Sequence, residues 1–153
     1  MNTEEKLKEL NIELPEAPKP AGAYVPVART GKLVFTSGIL PVDAGEIKIK
    51  GKLGKELSLD QGQEAAGRCV LNGLSAIKKE LGSLDKIKQV IRINGYVQSE
   101  KGFTDQAKVM NGASDLLVNI FGEKGKHSRT AIGASELPLN SPVEIDMIIE
   151  VEE

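Results

Sequence analysis

From Val143 to Val151 the chain alternates without a break: Val143, Ile145, Met147, Ile149 and Val151 fall on one side, Glu144, Asp146, Ile148 and Glu150 on the other. That period of two predicts a half-buried β-strand. Upstream, Arg129 to Ser135 reads as a second strand, with Thr130, Ile132 and Ala134 on one face and Arg129, Ala131, Gly133 and Ser135 on the other. The link between them, Glu136 to Pro142, carries two prolines and an Asn-Ser pair, which suits a turn. Paired as a hairpin, the two strands would put Arg129 far from the turn and Glu144 beside it, too distant to act together within one chain.

Elsewhere the pattern changes period. Asn2-Thr3-Glu4-Glu5 predicts a helix start with Leu7 and Leu10 as its apolar stripe, ending before Pro15. A proline-stiffened connector follows through Pro20. Tyr24–Ala28 and Leu33–Thr36 flank Arg29-Thr30-Gly31-Lys32 and read as a hairpin, and Ile47 with Ile49 suggests a short strand. Ser58-Leu59-Asp60-Gln61 is a capping-box pattern opening a long helix, with Ala66, Cys69, Val70, Leu74, Ile77 and Leu81 on its apolar stripe and Gly82 at its end. Ile87–Val97, apolar on both faces at several positions, reads as a central strand. A second long helix is expected from Thr104 to Phe121, burying Val109, Ala113, Leu116, Leu117 and Ile120. This order implies an α+β fold, a mixed sheet covered on one face by two helices. The other face is left for water or another subunit, and the apolar residues on both sides of the central strand favour a subunit.

Composition narrows the function classes. A chain of 153 residues is expected to form one domain, here over residues 1–153, with residues 1–20 as an N-terminal extension. Net charge is -2 and aromatics are 3%, which argues against a polyanion-binding surface and against nucleic acid held by stacked bases. No apolar run reaches bilayer length, and the charged, periodic N-terminus does not read as a signal peptide. One cysteine excludes an internal disulfide and fits a reducing cytoplasm.

Few residues present themselves for chemistry. His127 and Cys69 are each the only one of its kind, which disfavours zinc, and Cys69 sits on a helix's apolar stripe, where a thiol is ordinarily inert. Glu46–Leu53 lacks the first glycine of a phosphate-binding loop and has Leu53 where a hydroxyl must bind magnesium. Arg129 offers a planar fork for a carboxylate but reads equally as a solvated surface arginine. Glu144 reads equally as one of a strand's outward residues. Tyr24, Ser37 and Asn111 have similarly bland readings as a packing tyrosine, a turn serine and an exposed helical asparagine. The residues alone leave function open.

Taken together, however, Ala17-Pro18, Gly22-Ala23-Tyr24, Thr36-Ser37-Gly38 with Pro41, Gly82-Ser83-Leu84-Asp85, Asn111, Arg129, Leu137-Pro138 and Val143-Glu144-Ile145-Asp146 resemble the motifs of the RidA (YjgF) family over nearly the whole chain. The N-terminal helix, the Gly51–Lys55 insert, Asn111-Gly112-Ala113-Ser114-Asp115 and His127-Ser128-Arg129 resemble a longer branch of it. The resemblance implies a chorismate-mutase-like fold, a homotrimer with clefts between neighbours, and hydrolysis of reactive 2-imino (enamine) acids to 2-oxo acids and ammonia without a cofactor. It implies that Arg129 binds the substrate carboxylate, that Glu144 positions or activates water, and that Tyr24, Ser37, Gly38, Asn111 and Ala131 line the cleft. In a trimer, strand ends of two subunits can be combined, which removes the difficulty of separating Arg129 from Glu144.

The chain departs from the family pattern where Ala131 stands in place of a common cysteine and where His127-Ser128 precedes the arginine. His127 is therefore a candidate accessory acid/base or anion ligand, against a structural role at a strand start. Beside the deaminase stand two alternatives: a trimeric protein that binds small carboxylates without useful turnover, and the endoribonuclease activity attached to the family's names, which the acidic, aromatic-poor composition favours least.

Overall fold

The computed structural model describes residues 1–20 and 22–152. Local signals set most element ends. Helix α1 (Thr3–Glu9) is opened by Asn2, whose side chain accepts from the Glu5 N–H at 2.8 Å while Glu5 accepts from the Asn2 N–H at 3.0 Å. Helix α2 (Leu59–Leu81) opens with the same reciprocal cap between Ser58 and Gln61 and closes at Gly82. Helix α3 (Gln106–Phe121) begins two residues later than the pattern suggested, with Asp105 at its N-cap and no side-chain cap bond there. Leu116 is half-buried rather than in the core. Strands β1 (Val27–Thr30) and β2 (Leu33–Thr36) form the expected hairpin. The first strand starts at Val27, after Pro26, which has no N–H to give a ladder. Strands β3 (Val42–Asp43) and β4 (Glu46–Ile47) make a small separate ribbon, and Ile49 lies beyond it.

Strands β5 (Ile87–Gln98), β6 (Ser128–Ala134) and β7 (Val143–Val151) complete a mixed five-stranded sheet in the order β1-β2-β7-β5-β6. The β6–β7 hairpin expected from sequence is therefore incorrect: β5 lies between them. It pairs parallel with β6, with Ile93 level with Arg129, and antiparallel with β7, with Tyr96 level with Glu144. The reason is physical. Alternation specifies which face a side chain takes, and a strand keeps its faces whichever neighbour it has. Helix α3 returns the chain so that β6 can run parallel to β5, as a crossover must. The link from Glu136 to Pro142 then passes the end of β5 to reach its other edge.

That link is held by Gln98, a side chain with no exposure. Its Nε2 donates to the Gly51 carbonyl and to Asn140 Oδ1, both at 2.9 Å, and its Oε1 accepts from the Leu137 N–H at 2.7 Å. A buried amide with its donors and acceptor engaged fixes the link rigidly.

Helices α2 and α3 cover one sheet face, where Val143, Ile145, Met147, Ile149 and Val151 meet Cys69, Val70, Leu74, Ile77, Val109, Met110 and Leu117 in one core. The helices approach closely because Gly112 presents no side chain: a Cβ there would strike the Gln63 backbone. Helix α1 buries Leu7, and its first turn is tied to the body by the Thr3 N–H on Asp85 (2.8 Å) and by Lys78 on Glu4 (2.6 Å). No helix of the described residues is long and apolar enough to cross a membrane. Among the described residues the opposite sheet face carries no helix, and Leu33, Phe35 and Ile132 stand exposed there.

Candidate functional site

The residues singled out from sequence fall into two groups at different places on the chain. Arg129, Ala131, Asn111 and His127 gather where edge strand β6 meets α3. Asn111 and Ser114, three apart, share one helix face. His127, just before β6, and Arg129, two residues further on, both reach Ser114. The contacts form a chain. His127 Nδ1–H donates to the Gly125 carbonyl (2.6 Å), and Nε2 is hydrogen-bonded to the Ser114 hydroxyl (2.8 Å). Ser114 Oγ in turn accepts from Arg129 Nη1 (3.1 Å), and Asn111 Oδ1 accepts from the same nitrogen (2.9 Å). Among the described residues, then, Arg129 is oriented by neutral acceptors alone. With no carboxylate paired to it among the described residues, the rest of its fork is available to a planar anion. Ala131 packs against the core on the same strand.

Tyr24, Ser37, Gly38 and Glu144 form the second group, around the end of β2 and the start of β7. Glu144 lies on the helix-free face, level with Tyr96. Its carboxylate occupies the space a side chain at Gly38 would fill, so any larger residue at 38 would displace it. Burial raises the Glu144 pKa above the ordinary carboxylate value, and the negative charge of Asp146 raises it further. Ser37 ties down the segment before β1, donating its hydroxyl to the Val25 carbonyl (2.6 Å) and its N–H to the Pro26 carbonyl (2.9 Å). This holds Tyr24, about half exposed, beside Ser37 and Gly38 at a cavity of about 210 Å³.

Several participants escaped the sequence reading. Ser114 is one, though its spacing from Asn111 signals a shared helix face. On the helix-free face Asp146 accepts from Asn94 Nδ2 (2.8 Å) and from the Tyr96 hydroxyl (3.1 Å), while Arg92 donates to Asn94 Oδ1 (3.0 Å), Ser128 and Thr130. Burial first, then Asp146, raises the Tyr96 phenol pKa. The network was hidden because Arg92, Asn94 and Tyr96 meet Asp146 only once β5 pairs with β7. Cys69, by contrast, is fully buried, and burial ahead of the Glu144 charge pushes its thiol pKa well up, which makes it inert.

Comparison with known proteins agrees with this architecture. The family model described as "YjgF/chorismate_mutase-like, putative endoribonuclease" matches residues 4–151. Protein TCP17 of Trypanosoma cruzi is 40% identical over 146 residues, spanning 95% of this chain and 91% of that protein. The crystal structure of Atu1372 from Agrobacterium tumefaciens, of unknown function, superposes with a TM-score of 0.92 at 42% identity, covering 98% of this chain and 92% of that one. A more distant relative from Dermatophagoides farinae, 24% identical over 92% of this chain and 95% of its own length, is named a 2-iminobutanoate/2-iminopropanoate deaminase. With the chorismate-mutase-like mixed sheet and a family match over almost its full length, this chain belongs to the RidA (YjgF) family.

Proposed function

We propose that this protein hydrolyses reactive 2-imino acids, and their enamine tautomers, to 2-oxo acids and ammonia in clefts between the protomers of a homotrimer. The observation that carries this reading is the division of the site. An arginine held only by neutral acceptors sits on the helix-covered side at one sheet edge, and a carboxyl group of raised pKa sits on the other face. Neither half is complete alone. A neighbouring copy that brought its Glu144 group to this chain's Arg129 group would complete both, and the exposed Leu33, Phe35 and Ile132 give the helix-free face an apolar reason to be covered.

In the assembled cleft Arg129 clamps the substrate carboxylate, and Asn111 and Ala131 border it. The neighbour's Tyr24, Ser37 and Gly38 flank the imine. Glu144 takes a proton from water as the oxygen attacks the C=N carbon, and returns it to the nitrogen of the tetrahedral carbinolamine. Glu144 next carries the hydroxyl proton to the amine nitrogen, so that ammonia leaves as the C=O forms, and one water is consumed and one ammonia released. Imines already hydrolyse in water, so holding water and electrophile in line near a carboxylate is sufficient chemistry. None of these steps calls for a metal or organic cofactor. His127, two hydrogen bonds behind Arg129, acts by positioning it.

The test is to generate 2-aminoacrylate or 2-iminobutanoate with a dehydratase and follow imine decay with and without the protein. Acceleration that vanishes in Arg129→Ala supports the reading. Decay at the solvent rate, with 2-oxo acid binding that still depends on Arg129, would replace it with a carboxylate-binding protein lacking turnover.

A further inference from the structure

The cavity beside Ser37 and Gly38 runs past those residues into apolar space, walled by Pro18, Ile39, Leu40 and Ala76, with Tyr24 and Leu139 also among its lining. Its wall is firmly held: Asn72 Nδ2 donates to the Leu40 carbonyl (3.0 Å) and to the Val42 carbonyl (2.9 Å). Leu139 is the unusual member. It is 71% exposed and lies in the left-handed region at φ 58°, followed by Asn140 at the same φ. Asparagine tolerates that conformation; a branched aliphatic residue ordinarily avoids it. The turn is nevertheless enforced, because buried Gln98 grips Leu137 on one side and Asn140 on the other. An apolar side chain is thus kept out of the core at the rim of an apolar cavity, in a backbone conformation that suits glycine better.

We infer that this cavity receives the aliphatic side chain of the substrate, and that Leu139 is the residue that sets the preference for longer side chains. The inference rests on the 2-imino acid reading and names its substrate class: acids whose side chain has three or four carbons rather than one. About 210 Å³ is several times the space a methyl group needs, so small side chains leave it poorly filled. Each buried methylene is worth roughly a fourfold change in specificity constant.

The experiment compares imines released by an amino-acid oxidase from alanine, 2-aminobutyrate, norvaline and leucine, alongside dissociation constants for the corresponding 2-oxo acids. The variant is Leu139→Gly, which removes the side chain yet adopts φ 58° freely and so leaves the turn intact. The expected wild-type profile rises with side-chain length by about tenfold or more from alanine to leucine. Leu139→Gly should flatten that rise about tenfold at the leucine end and leave the alanine imine within about twofold. A flat wild-type profile, an even loss across all four acids, or a changed oligomeric state with an unchanged profile would each overturn the inference. Absent imine turnover would fail the functional reading instead, and length-dependent 2-oxo acid affinity sensitive to Leu139→Gly would still uphold the subsite. Absent binding as well would remove both.

Discussion

Arg129 lies level with Met147 across β5, not with Glu144, and it reaches toward α3 while Glu144 projects from the sheet's other face. The two groups that the family resemblance makes partners are therefore separated by a whole sheet within one chain.

Loss of the guanidinium should be the most damaging single change. Arg129→Ala is expected to lower kcat/KM by at least about 100-fold and to abolish detectable 2-oxo acid binding, because a charge-assisted bidentate contact has no substitute nearby. Arg129→Lys should recover only part, since an ammonium lacks the planar fork. Calorimetric titration with a 2-oxo acid checks both, and full affinity in Arg129→Ala would assign the carboxylate another host.

Glu144 should govern turnover rather than affinity. Glu144→Gln is expected to slow kcat about 100-fold or more while Kd changes little. Its raised pKa has two consequences. As a base it works ionised, so activity should rise with pH as Glu144 loses its proton, and Asp146→Asn, which removes a neighbouring negative charge, should move that limb down. A carboxyl whose folded pKa is raised favours folding at low pH and loses that contribution as pH climbs through the folded value, so Glu144→Gln should raise Tm at neutral pH. A pH–rate profile and a melt at two pH values decide this; an unchanged acid limb in Asp146→Asn would sever the coupling.

Ser114 and His127 touch no substrate in this account. Ser114→Ala and His127→Ala should raise KM and the 2-oxo acid Kd by about three- to tenfold through a looser Arg129, with kcat within about twofold. A change in the acid limb of the pH profile for His127→Ala, with KM untouched, would make His127 a proton carrier instead.

Much of this was legible in the chain, and the exceptions have a common cause. The reciprocal caps at Asn2 and Ser58, the alternation of β7 and the apolar stripe of α2 are local, and the structure reproduces each. Strand order is not local: the same alternation serves β7 beside β6 or beside β5, and only the return path of α3 separates the two. The Asp146–Asn94–Arg92 network exists only in the true register, and the left-handed Leu139 is dictated by Gln98, some forty residues away. The site residues came from the family's motifs. Alternation assigns faces within each strand, but only the strand order, with β5 between β6 and β7, shows that the two halves face different ways.

Stability offers an independent check on the helix layer. Gly112→Ala places a methyl against the Gln63 backbone, which cannot turn aside as a side chain can. The helices must part, at a cost of about 1–3 kcal/mol. Urea denaturation should show that loss, and an unchanged midpoint would mean α2 and α3 pack less closely than described.

The most direct test of the shared cleft is complementation. Arg129→Ala and Glu144→Gln chains, each expected to be nearly inactive alone, are co-expressed so that mixed assemblies form. If every cleft takes its arginine from one protomer and its carboxylate from the next, about a quarter of the clefts are intact on statistical mixing, and activity should return to about that fraction of wild type. A co-expressed sample no more active than the two variants measured separately, or a wild-type protein that is active as a monomer, would contradict the account.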